Sequence, residues 1–64
     1  MNTQLAEDIL NQLQERSLAE YRINKEDFFI FQRVLVKRED FKHFRGVAER
    51  GGSIVFTYLD EARS

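Results

Sequence analysis

The sequence has no cysteine and a single histidine in 64 residues. Disulfides are excluded, and a zinc ion would have to be held almost entirely by carboxylates. Neither a metal nor any other cofactor is therefore expected. Proline is absent, and there is no linker and no low-complexity stretch. No apolar run approaches the roughly 20 residues that a membrane helix requires. The first residues, Asn2, Thr3 and Gln4, lack the basic segment and apolar stretch of a secretory signal. With 33% charged residues, the composition is that of a cytoplasmic protein with no membrane segment. Hydrophobic residues make up 42% and the net charge is -1, which argues against disorder.

Residues 1–64 are expected to form one small domain. A chain of this size buries only about 60% of the surface it exposes when unfolded, and small folds often gain stability by associating. Phe28, Phe29, Ile30, Phe31, Val34, Leu35 and Val36 crowd into nine positions. Charge is unevenly placed. Residues 1–27 hold three basic against six acidic side chains, and residues 28–50 hold six basic against three acidic. The two regions can satisfy each other within one chain or between two.

Leu5, Ile9, Leu10 and Leu13 recur at helical spacing and predict a helix over 3–16, with Thr3 able to cap it and Glu7 and Asp8 near its positive end. Tyr21 and Ile23 alternate with Arg22, which predicts a short strand over 18–23. Asn24 is a good helix cap, followed by Glu26 and Asp27, so a helix is expected over 25–36. Phe41, Phe44, Val47 and Ala48 sit at i, i+3, i+6 and i+7, with Gly51 and Gly52 behind them as a left-handed stop. That spacing predicts a helix over 38–50. Residues 53–59, "SIVFTYL", read as a strand with Ile54, Phe56 and Tyr58 on one face.

The expected fold is α+β and mainly helical, in the order α, short strand, α, α, strand. The alternative is αββαβ. In it residues 28–36, rich in β-formers, make a central strand and 38–50 a crossover helix.

"KEDFFIF" at 25–31 returns thirteen residues later as "REDFKHF" at 38–44. At 100° per residue, thirteen residues turn about 220° beyond whole turns. One continuous helix would thus point the two Phe pairs nearly opposite ways. Two separate helices can turn both inward, so the repeat is read as packing used twice.

Chemical motifs do not survive inspection. "GVAERGGS" at 46–53 resembles a phosphate-binding loop but has Gly52 where lysine is needed, and it precedes a strand instead of following one. A single "RGG" at 50–52 is not the array that RNA-binding segments use. His43 has Glu39 and Asp40 one helical turn before it, but a solvated helix face explains the set better than proton transfer. Ser17, Ser53 and Ser64 have no arrangement with His43 that supports nucleophilic catalysis. No catalytic, cofactor-binding or metal-binding residue is assigned, and the protein is not expected to be an enzyme.

The remaining candidates are surfaces. Phe29, Ile30, Ile54, Phe56 and Tyr58 are the expected interaction residues of a small regulatory or protein-interaction module. The protein is expected to be a homodimer, paired edge to edge at Ser53–Leu59 or through apposed Phe29 and Ile30. Lys37, Arg38, Lys42, His43, Arg45 and Arg50 form a basic set for an acidic partner or a nucleic acid. In the second case residues 25–50 would be a cramped helix-turn-helix. A calculated pI of 5.7, and Glu39, Asp40 and Glu49 within the set, disfavour nucleic acid.

Overall fold

A computed structural model describes residues 1–62 of the chain; Arg63 and Ser64, within the expected domain, lie outside the described residues. The elements are helix α1 (Thr3–Gln14), strand β1 (Tyr21–Ile23), helix α2 (Lys25–Leu35), a 3-10 turn at Phe41–His43, strand β2 (Phe44–Ala48) and strand β3 (Ile54–Tyr58). The domain is α+β, as the sequence predicts, with two helices over one face of a three-stranded antiparallel sheet; it is not mainly helical, because the α-helices hold only 12 and 11 residues and the third expected helix is a turn and a strand.

Each helix end has a local cause. The Asn2 side chain, not Thr3, caps α1 by accepting the Leu5 N–H at 2.8 Å. After Gln14 the chain enters the left-handed region at Arg16, with φ of 69°. Ser17 N–H then donates back to Gln12 O at 2.9 Å and Arg16 N–H to Leu13 O at 3.2 Å. This is a Schellman stop with arginine where glycine is usual. Asn24 caps α2 by accepting the Asp27 N–H at 3.1 Å, with Glu26 and Asp27 in the first turn. The side chains of Phe31, Val34 and Leu35 are buried on one side of α2. That i, i+3, i+4 pattern is helical, so residues 28–36 are not the central strand of the alternative topology.

The expected helix over 38–50 is not present. Residues 41–43 make one 3-10 turn and residues 44–48 are a strand, so the order is α-β-α-β-β. The physical reason is long-range. Phe44, Gly46 and Ala48 point inward opposite Tyr58, Phe56 and Ile54, while Arg45 and Val47 point out. Pairing with β3 thus outweighs a helical spacing that Phe41, Phe44 and Val47 only share by coincidence. Gly51 and Gly52 are likewise not a helix stop. With φ of +89° and +92° they turn the β2–β3 hairpin, closed by Glu49 N–H to Ser53 O at 2.7 Å.

The sheet order is β1-β3-β2. β3 pairs β1 through Tyr21–Phe56 and Ile23–Ile54, and it pairs β2 on its other side. Both edges of β3 are therefore occupied. The expected edge-to-edge pairing of two copies at Ser53–Leu59 has no edge to use. The core lies between sheet and helices, with Leu10, Leu13, Ile23, Phe31 and Phe44 among its most enclosed side chains. Each such aliphatic or aromatic group contributes about 1.5–3 kcal/mol on burial.

Two glycine predictions follow from these geometries. A Cβ at Gly46 would stand 2.9 Å from Cε1 of Phe56, so Gly46→Ala should lower stability by about 1–3 kcal/mol through overpacking. Gly51→Val or Gly52→Val should each cost at least ~1 kcal/mol, because a β-branched residue fits a left-handed φ poorly. Thermal unfolding followed by circular dichroism measures all three; unchanged midpoints would contradict the hairpin geometry.

Candidate functional site

Helix α2 carries the most exposed large apolar side chain among the described residues. Phe29 is 76% exposed and Val36, seven residues on and so on nearly the same side, is 53% exposed. Phe29 stands about 160° around the axis from buried Phe31, at the middle of the solvent face. Ile30 is half-buried beside it. The other three expected interaction residues point the opposite way. Phe56 is 5% exposed and belongs to the core, and Ile54 and Tyr58 pack half-buried against that core. Of the apolar set, only Phe29 and Ile30 reach the outside around α2.

Two grooves flank α2. One, of about 460 Å³, lies between α2 and the start of α1 and is lined by Asn2, Thr3, Ile30, Arg33 and Lys37. The other, of about 400 Å³, lies between α2 and β2 and is lined by Phe28, Gln32, Val36, Phe41, Gly46 and Ala48, over the Phe56 ring. The sequence pattern of 44–48 does not by itself reveal this second groove. Its signal is the alternation of Phe44, Gly46 and Ala48, which puts two small residues on the inner face of an edge strand.

The basic set is dispersed. Arg38 is an internal clamp, with its side chain 13% exposed. It donates to Asp40 at 2.9 and 3.3 Å, to Asn11 Oδ1 at 2.9 Å and to Glu7 Oε2 at 3.3 Å. Its guanidinium also lies over the Phe44 ring, 5.7 Å from the centroid. Hydrogen bonding to Asp40 raises the Arg38 pKa above its ordinary value; burial opposes this, and the charges of Asp40 and Glu7 add to the rise. His43 is occupied as well. Its Nδ1 donates to Leu59 O at 2.9 Å, since a carbonyl can only accept, and its ring stacks on Tyr58 at 5.2 Å. The pairing of His43 with Glu39 and Asp40 on one helix does not arise, because no helix spans them. Lys37, Lys42, Arg45 and Arg50 are exposed, but they sit after α2, in the 3-10 turn, on the outer face of β2 and in the hairpin turn. The helix-turn-helix of the nucleic-acid alternative does not form, because no second helix follows α2.

Part of the charge asymmetry is satisfied within the chain. Glu7 in the acidic front meets Arg38 in the basic middle. Arg22 on β1 reaches over the outer face of the sheet to Glu49 at 2.7 Å, a bond that raises the Arg22 pKa. Arg16 pairs with Asp60 and lies 5.6 Å from the centroid of the Tyr58 ring. Among the described residues, no group of three or more His, Cys, Asp or Glu side chains could hold a metal ion. No helix among them is long and apolar enough to cross a membrane.

Two helices stacked on a β1-β3-β2 antiparallel sheet, with an exposed aromatic helix face, define a small two-layer α+β domain. Over residues 3–57 the chain matches the family described as YkzS-like protein, and it belongs to that family. No curated protein and no solved structure matches it.

The clamp generates a stability prediction. Arg38→Met keeps the aliphatic stem but removes every hydrogen bond to Asp40, Glu7 and Asn11, and should cost about 1–3 kcal/mol. Arg45→Met, on the exposed sheet face, should stay within ~0.5 kcal/mol. Urea unfolding of the two variants distinguishes them, and equal midpoints would deny Arg38 its structural role.

Proposed function

We propose that the chain is a small cytoplasmic protein-interaction or regulatory module that acts without catalysis, through the Phe-rich surface of α2. The observation that carries this is the position of Phe29. A helix that buries Phe31, Val34 and Leu35 and packs Phe28 against the core has no folding use for a phenylalanine on its opposite side, 76% exposed. Burying such a side chain against a partner stabilises the complex by about 1.5–3 kcal/mol. The roles of His43 and Arg38 in internal contacts also favour a structural over a chemical use of the polar groups. The cytoplasmic setting rests on the cysteine-free, charge-rich composition.

A second copy of the chain is the first partner to test. A twofold axis near α2 would set Phe29 and Ile30 of one copy against those of the other, a self-complementary contact. A nucleic-acid-binding regulator is the weaker alternative. Arg38 and His43 are engaged internally, and the remaining cations stand on separate elements.

Sedimentation equilibrium at micromolar concentration should give about twice the 7.6 kDa chain mass, and Phe29→Asp should return it to one chain that still unfolds cooperatively. In parallel, tagged wild-type chain should retain proteins from its native cell that the Phe29→Asp chain does not. If the substitution alters neither association, the surface of α2 is not where the protein acts.

A further inference from the structure

We infer that the open edge of β2, together with the groove beside α2, takes up an extended peptide segment with alternate apolar side chains and acidic ones between them. The inference rests on the chain being an interaction module, and it names a second surface and the chemistry of its occupant.

The backbone comes first. Leu59 N–H donates to His43 O at 2.6 Å, and Glu49 N–H to Ser53 O at 2.7 Å. In an antiparallel ladder, hydrogen-bonded pairs alternate with non-bonded ones. The pairs facing β3 from β2 are therefore Arg45–Thr57 and Val47–Val55, and Phe44, Gly46 and Ala48 turn their N–H and C=O groups outward. The Phe44 N–H is taken by Phe41 O. The N–H groups of Gly46 and Ala48 and the carbonyls of Phe44, Gly46 and Ala48 have no partner among the described residues. The edge of β1 differs. It is three residues long, and only Arg22 faces out, with its side chain tied to Glu49. Short, charged edges resist pairing; β2 is five residues long, and its one charged side chain, Arg45, makes no ion pair among the described residues.

The groove supplies the side-chain pockets. A strand laid along β2 would project every second side chain onto the inner face, over Gly46 and Ala48. There the groove of about 400 Å³ opens against Phe28, Gln32, Val36 and Phe41. Main-chain bonds to the edge with alternate side chains in pockets is the general form of strand addition. The side chains that fill these pockets must be apolar.

Charge decides between occupants. The intervening side chains would lie on the outer face beside Arg45, with Arg50 at one end of β2. Lys37, Arg45 and Arg50 make no ion pair among the described residues, whereas Glu49 is held by Arg22. An incoming strand with carboxylates at those positions meets opposite charge, and one with lysines meets like charge. A second copy of β2 fits poorly. Antiparallel pairing about Gly46 would set Val47, not a carboxylate, opposite Arg45 in both directions.

The test uses the full chain, isotopically labelled, and a synthetic peptide of about eight residues, a usual strand length, alternating Val and Glu. Titration followed by NMR should shift the Gly46 and Ala48 amides saturably and slow their hydrogen exchange. A Val–Lys peptide of the same length should bind at least about tenfold more weakly at low salt, and Arg45→Glu should reverse that preference. Methylating the peptide nitrogens that face β2 should abolish binding. Undisturbed Gly46 and Ala48 amides, or equal affinity for the two peptides, would overturn the inference. Shifts confined to Phe29 and Ile30 would also overturn it while leaving the α2 surface in place. Loss of the Phe29-dependent association with β2 binding retained would instead remove the α2 reading alone.

Discussion

Phe56 can fill the middle of the core only because the residue opposite it on β2 has no side chain. Its ring tilts against Phe31 at 4.8 Å and lies parallel to Phe28 at 6.3 Å, over the space a Cβ on Gly46 would claim. The rest of the architecture follows from this fit. A one-residue slip of the hairpin would put Arg45 or Val47 under the ring and turn every side chain of β2 to the wrong face. The register is thus held by shape, and the tight turn at Gly51 and Gly52 follows from it. The same missing side chain, with Ala48 two residues on, leaves the inner side of the β2 edge open against α2.

Arg38 is the polar counterpart of that contact. It connects three parts of the chain that the apolar core does not order by itself: α1 through Glu7 and Asn11, its own loop through Asp40, and β2 through the face of Phe44. A guanidinium suits the task because its planar fork serves several acceptors at once while one face rests on a ring. The cation most central to the basic middle of the sequence is consequently the one least able to meet a partner.

What could be seen in the sequence was what local chemistry decides. Asn24, Glu26 and Asp27 mark the start of α2 without help from the rest of the chain, and "SIVFTYL" alternates plainly enough to be a strand. Phe41, Phe44, Val47 and Ala48 satisfy a helical period as well as Phe44, Gly46 and Ala48 satisfy a strand period. Only β3, with a vacant edge and a large ring at Phe56, chooses between them. The same limit applies to the surfaces. Ile54, Phe56 and Tyr58 are apolar on one side of a strand whose other side is also largely apolar. Which side faces the helices is a tertiary fact, so the sequence alone does not tell the interior face from the exterior one. Phe29 was legible as a surface residue because the cap fixes the phase of its helix. The groove was not, because its floor is made by the smallest side chains in the segment.

The position of β3 has a consequence for the order in which the molecule can assemble. Every pair in the sheet includes a residue of β3, yet β3 follows all the other elements along the chain. During synthesis, Tyr21–Ile23 and Phe44–Ala48 must wait as unpaired segments until Ile54–Tyr58 has been made. The adjacent hairpin then closes cheaply across a short turn, while β1 must be brought back over some thirty residues at a larger entropic cost. Up to that point the nascent chain has two capped helices and no sheet at all. Its apolar residues are then the surface most in need of cover.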